Sequence, residues 1–270
     1  MGGRGSRFRD LNTMQDKREY WTDYGDADED VEVDIQNDLT KSFKNSNIII
    51  CGSLKNLDRD VVKVNLKQIK DLSNEFSEII SPNLDDECIK IRSYKMNRVS
   101  FNTGVKSPEY GIMALFTPVK KQICFNERSI KDLESLKSII KTSQKVGHSV
   151  QIDEGKEGVY VITHEYGHFL ENCIIEKRIQ QDVRAWAKFK TNLFEMQKMR
   201  IAEAENIRAE IKQIATQKYK ASVKQLETSK YGEQDKNPFE WFAEVFAESR
   251  LHTTNKPLVK AMKEYLKGGI

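Results

Sequence analysis

The 270 residues allow one large or two small domains and leave ample chain to bury a core. With 38% hydrophobic and 31% charged residues the chain reads as polar, soluble and biased towards helix, and a net charge of +3 is too small by itself to argue for a nucleic-acid partner. No N-terminal apolar signal segment and no apolar run approaching about 18 residues is present, which argues against a standard secretory signal and against a membrane span.

Residues 1–46 open with the Gly- and Arg-rich MGGRGSRFRD and pass into an acidic block. Between Asp23 and Asp34 there are seven acidic residues and no basic one, a pattern expected of a disordered or extended acidic tail. A second reading has the basic start and the acidic block docking on a larger assembly.

From about Asn47 short β-prone pieces alternate with helical ones. NIIIC is followed by a helical pattern through VVKVNLKQIKDLSNEFSEII and then by ECIKIRSYKM. The segment YGIMALFTPVKKQICFNER predicts two strands, roughly Gly111–Phe116 and Gln122–Phe125, joined at Pro118. Its first strand is either a sheet edge that holds an extended peptide by strand addition or simply part of the core. A helical stretch from Ile130 to Thr142 and a polar loop containing His148 complete this half. Cys51, Cys88, Cys124 and Cys173 are far apart and form no CxxC spacing, so they are expected as reduced thiols in a cytoplasmic setting.

The chemistry concentrates at His164-Glu165-Tyr166-Gly167-His168, which the apolar run Val159–Ile162 enters and Phe169, Leu170, Cys173 and Ile174 continue at helical spacing. On such a buried helix His164 and His168 lie one turn apart, so both imidazoles can reach a zinc ion at about 2.0–2.1 Å. Glu165 lies about 100° further round, placed as a general base towards a water on the metal. Only four histidines occur in the whole chain, and two of them flank this glutamate at ligand spacing. Burying two imidazoles and a carboxylate without a partner would cost several kcal/mol, which a metal relieves.

The tract from Glu176 to Lys230 contains neither Gly nor Pro and carries thirteen Lys or Arg against seven acidic residues, a surplus of +6. Its apolar residues, among them Ile179, Val183, Trp186, Leu193, Ile207, Ile211 and Ile214, recur with a helical period. A helical insert over about 176–228 is expected, protruding from the body or capping it, with a coiled-coil contact to a partner or a second copy as the alternative. Acids are interspersed with the bases, which speaks against nucleic acid. After the loop SKYGEQDKNP comes FEWFAEVFAESRLHTT. Here Phe239, Phe242, Val245 and Phe246 form an apolar stripe, while Glu240, Glu244 and Glu248 recur every fourth residue and repel one another unless a cation intervenes.

HEYGH followed downstream by YG, an Asn and EWFAEVFAE resembles the zincin-like metallopeptidases, a family that includes the protease domain of anthrax lethal factor. It is most similar to the zincin-like domains at the ends of phage minor head (minor capsid) proteins, and the MGGRG opening also looks phage-like. The clear match covers 159–172 and 229–252, the hairpin at 111–125 is similar more loosely, and 1–46 is not covered. The resemblance implies an α+β zincin-like fold over 47–270, with a small mixed sheet, an active helix and a second glutamate-bearing helix.

It also implies one zinc ion, with His164, His168 and Glu240 as ligands, Glu165 as base and Glu244 behind the ligands, where a carboxylate can orient an imidazole. Tyr231 falls where the lethal factor family has a tyrosine that donates to the oxyanion. It lies two residues further from the glutamate than in that family, and the insert is longer. The implied activity is zinc-dependent hydrolysis of a protein or peptide, in host cytoplasm or associated with a virion. Two other functions stay open: a non-catalytic zinc-binding assembly protein contacting phage structural proteins, with Cys173 a candidate fourth ligand, and a delivered toxin protease.

Overall fold

The computed structural model describes residues 48–50, 54, 56–80, 89–94, 113–118, 121–127, 129–233 and 238–268. The acidic tail expected over 1–46 lies outside them, as do Cys51 and Cys88. The described elements are strand β1 (Ile48–Ile50), helices α1 (Arg59–Glu75) and α2 (Ser77–Ile80), strands β2 (Ile89–Tyr94), β3 (Ala114–Thr117) and β4 (Gln122–Asn126), and helices α3 (Leu133–Lys145), α4 (Tyr160–Gln180), α5 (Val183–Thr191), α6 (Leu193–Gln217), α7 (Pro238–Leu251) and α8 (Pro257–Lys267).

The protein is α+β. The four strands form one sheet in the order β1-β2-β4-β3, with β1, β2 and β4 parallel and β3 antiparallel on the edge. Ile91 faces Ile123 across β2 and β4, and Phe116 pairs with Ile123 across the hairpin. The hairpin turns at Pro118 as the sequence puts it, closed by Lys121 N–H on Pro118 O at 3.3 Å; its first strand is described from Ala114 to Thr117, and the expected start at Gly111 lies outside the described residues. Parallel pairing of β1 with β2 requires a crossover, and α1 and α2 supply it.

Local sequence chemistry sets the helix starts. Asp58, Asp132, Asp182 and Asn192 each accept backbone N–H groups of the following turn. Helix α7 begins on Pro238, whose missing N–H costs nothing in a first turn. Helix α1 buries Val61, Val62, Leu66, Ile69 and Leu72, one stripe at helical spacing.

Helix α4 is buried nearly all round from Tyr160 to Glu176. It packs between the edge strand β3 and α7, where Phe116 meets Phe169 edge-on at 6.0 Å and Tyr166 stacks on Phe246 at 6.3 Å. Gly167 permits this approach to α7, since a Cβ there would stand 3.0 Å from Ala243 Cα and 3.1 Å from Phe246 Cδ1.

The insert caps the body rather than standing off it. Ala204, Ile207, Ile211 and Ala215 of α6 are fully buried, and α6 packs on α4, α7 and α8. Arg208 and Lys212 cover the face of Trp241 of α7, each about 5.3 Å from the ring centre. Helix α5 is largely exposed and buries only Phe189. No helix among the described residues is long and apolar enough to cross a membrane.

Candidate metal centre

The packing of α4 on α7 brings together residues that are 72 or more positions apart in the chain. One donor atom each from His164, His168 and Glu240 lie within 4.8 Å of one another. Glu240 Oε2 is 3.1 Å from His164 Nε2 and 3.3 Å from His168 Nε2. A tetrahedral ion with bonds of about 2.0–2.1 Å has donor–donor edges of about 3.3–3.4 Å, so these spacings match two edges of such a site. The two imidazoles stand nearly perpendicular, at 85°, with ring centres 4.9 Å apart. A buried carboxylate between two imidazoles is thus a group that can hold a metal ion. Cys173 is fully buried in the apolar core and is not part of this group.

The electrostatics are those of a buried, mutually neutralising cluster. Burial opposes the charge of Glu240, yet His168 and His164 outweigh it and hold the carboxyl well below the usual carboxylate range. Burial likewise opposes protonation of His164, while Glu240 and Glu244 push its pKa well up. Burial raises Glu165, countered in part by His168 and His164 and by a backbone hydrogen bond from Phe116 of β3. The edge strand therefore touches the glutamate expected to act as base.

Glu244 is fully buried and draws four groups together. Tyr160 donates its O–H to Oε1, while the Val150 N–H donates to Oε2 at 3.0 Å and the Ser229 hydroxyl at 2.5 Å. His164 Nδ1 lies 3.0 Å from Oε1, close enough to pair but off the line of a regular N–H···O bond. This is the place behind His164 expected of Glu244. The third member of the row, Glu248, pairs with Lys256 Nζ at 2.5 Å. Each carboxylate of α7 thus has its own partner, and no single cation serves all three.

Tyr231 reaches the site from the loop before α7. Its ring centre is 5.7 Å from that of His164, and its phenol hydrogen-bonds Glu240. Burial first, and then Glu240 and Glu165, raise its pKa well above the ordinary value, so it remains a hydrogen-bond donor at neutral pH.

All six residues expected at the site are thus gathered in one place. Sequence reasoning missed Tyr160, Ser229, Gly167 and His148. His148 sits 5.3 Å from Tyr231, ring centre to ring centre, so three of the four histidines meet here, while His252 pairs with Asp153 at 2.8 Å elsewhere. Gly147 was the available signal for His148: a glycine just past a helical period caps the helix and fixes the residue after it. No family model, curated protein or solved structure matches the chain.

Proposed function

We propose that the protein is a zincin-like, zinc-dependent metallopeptidase, of the kind its motifs resemble in phage minor head proteins. The observation that carries this reading is the meeting of His164, His168 and Glu240 from two separate helices with Glu165 alongside. Two nitrogens and one oxygen suit zinc, and three protein ligands leave a coordination position free, the arrangement of catalytic rather than structural sites.

His164, His168 and Glu240 would hold a zinc ion, which when bound would supply a Lewis acid for a peptide carbonyl and would bring the pKa of water down to about 7. Glu165 accepts the proton of the attacking water and hands it to the leaving amine. Tyr231 donates its phenol O–H to the carbonyl oxygen as negative charge builds there, a contribution of about 2.7–4 kcal/mol for a well-placed donor. Glu244 fixes the orientation of His164. The outer edge of β3, which no described strand covers, accepts an extended peptide by strand addition beside the Phe116 N–H that bonds Glu165.

The test pairs metal analysis with digestion of a peptide library. Wild type binds one zinc and cleaves, Glu165→Gln keeps the zinc and loses hydrolysis, and Glu240→Ala loses both. Full activity in Glu165→Gln would refute the mechanism. Zinc binding by wild type without any cleavage would favour the assembly role instead.

A further inference from the structure

We infer that His148 is a positioning residue for Tyr231, and that the loop Gly147–Val150 braces the site. The functional meaning rests on the peptidase reading; the contact itself rests on geometry alone.

The brace begins in the cap of α3. Val146 ends the helix and Gly147 follows at φ +67°. The Gly147 N–H then returns to Gln144 O and the His148 N–H to Ser143 O, both at 2.9 Å. These two bonds are the Schellman closure of a helix C-terminus, and they fix the direction in which the chain leaves α3. Glycine is required because a side chain in the left-handed region is strained.

From that fixed exit the loop grips the segment carrying Tyr231. Gly147 O accepts the Lys230 N–H at 3.0 Å and His148 O accepts the Tyr231 N–H at 3.1 Å, while Lys230 Nζ reaches Val146 O at 2.8 Å. Two residues later the Val150 N–H binds Glu244, the carboxylate that faces His164. One short loop therefore holds both the proposed oxyanion donor and the group that orients a metal ligand.

The side chain of His148 completes the grip. The Tyr231 ring has imidazoles at 5.3 Å (His148, tilted 46°) and 5.7 Å (His164, tilted 39°). Tyr231 belongs to neither helix nor strand, so its ring direction depends on such contacts. Without His148 the ring keeps one imidazole neighbour and the phenol keeps its bond to Glu240, so its aim is held less firmly. A donor displaced by about 1 Å can cost about 100-fold in rate.

The experiment uses the full-length zinc-loaded protein with His148→Ala, His148→Phe, Tyr231→Phe and the double variant His148→Ala/Tyr231→Phe. On a peptide cleaved by wild type, His148→Ala lowers kcat by about 10- to 100-fold with little change in KM. His148→Phe, which restores an aromatic neighbour, recovers most of the loss. In the Tyr231→Phe background, His148→Ala has no further effect. Independently of activity, the Tyr231 ring resonances, assigned with Tyr231→Phe, move towards their unstructured positions in His148→Ala. Additive losses in the double variant, or ring resonances that stay in place, would overturn the inference. Failure of the peptidase reading looks different: wild type cleaves nothing, or Glu165→Gln cleaves as wild type does, whatever the resonances do.

Discussion

Gly167, inside the HEYGH stretch, offers a sharp perturbation because two effects of known sign oppose each other there. Gly167→Ala raises helix propensity by about 1 kcal/mol. The new methyl group would stand 3.0 Å from the Ala243 backbone and 3.1 and 3.4 Å from two carbons of Phe246. Because one of those neighbours is backbone, α7 itself has to retreat by a few tenths of an ångström, and overpacking of this kind costs about 1–3 kcal/mol. The net loss is about 0–2 kcal/mol, a fall in melting temperature of at most about 8 °C for a chain of this size. Metal binding suffers more than stability, because α7 carries Glu240 and metal–ligand distances tolerate only about 0.2 Å. Zinc titration against a chromophoric chelator should show Kd rising at least about tenfold, equivalent to about 1.4 kcal/mol. A variant that melts higher and binds zinc as tightly as wild type would refute the claim that backbone contact between α4 and α7 sets the reach of Glu240.

Tyr160→Phe removes one donor from buried Glu244, which should cost about 1–3 kcal/mol in chemical denaturation. It should also weaken zinc binding by about 10–100-fold by loosening His164; unchanged affinity would dismiss Glu244 as an orienting group. Glu171, buried beside Arg200 with neither oxygen hydrogen-bonded among the described residues, has its pKa raised well above the ordinary value by burial. Its folded form therefore holds the proton more tightly than the unfolded chain does. That stability is complete below the unfolded value of 4.5 and is lost as pH rises towards the folded one. In chelated protein, melting curves of wild type and Glu171→Gln should converge in acid and diverge towards neutrality with the Gln variant higher, and parallel curves would contradict this. Chelation itself should leave the far-ultraviolet circular dichroism intact while lowering the melting temperature by mass action. Loss of helix on chelation would mean that the ion, not apolar packing, holds α7.

The helices and the candidate site residues were legible because their signals are local. HEYGH lies on a buried helix, EWFAE on a second, and the hairpin turns at Pro118, while the helix expected from Ile130 to Thr142 runs instead from Leu133 to Lys145. The order of the sheet was not legible, since parallel pairing of Ile48 with Ile89 and of Ile91 with Ile123 is a long-range choice with no local mark. The row of Glu240, Glu244 and Glu248 pointed to a cation. Its actual solution uses three different partners, two of them from elements distant in sequence. The insert read equally well as a protruding hairpin or a cap, because an amphipathic stripe shows that a face is covered and not by what. His148 escaped because its role comes from the exit of α3 rather than from any spacing to the other histidines.

His164, His168 and Glu240 come together only across a long stretch of chain. His164 and His168 precede residues 181–237 and Glu240 follows them, and most of that stretch is ordered against the helices at both its ends. Closing so long a span is entropically unfavourable until the intervening chain has found its own contacts. Packing of α6 on both α4 and α7 shortens the span that separates the three donors, so a chain with α6 undocked holds His164, His168 and Glu240 together less firmly.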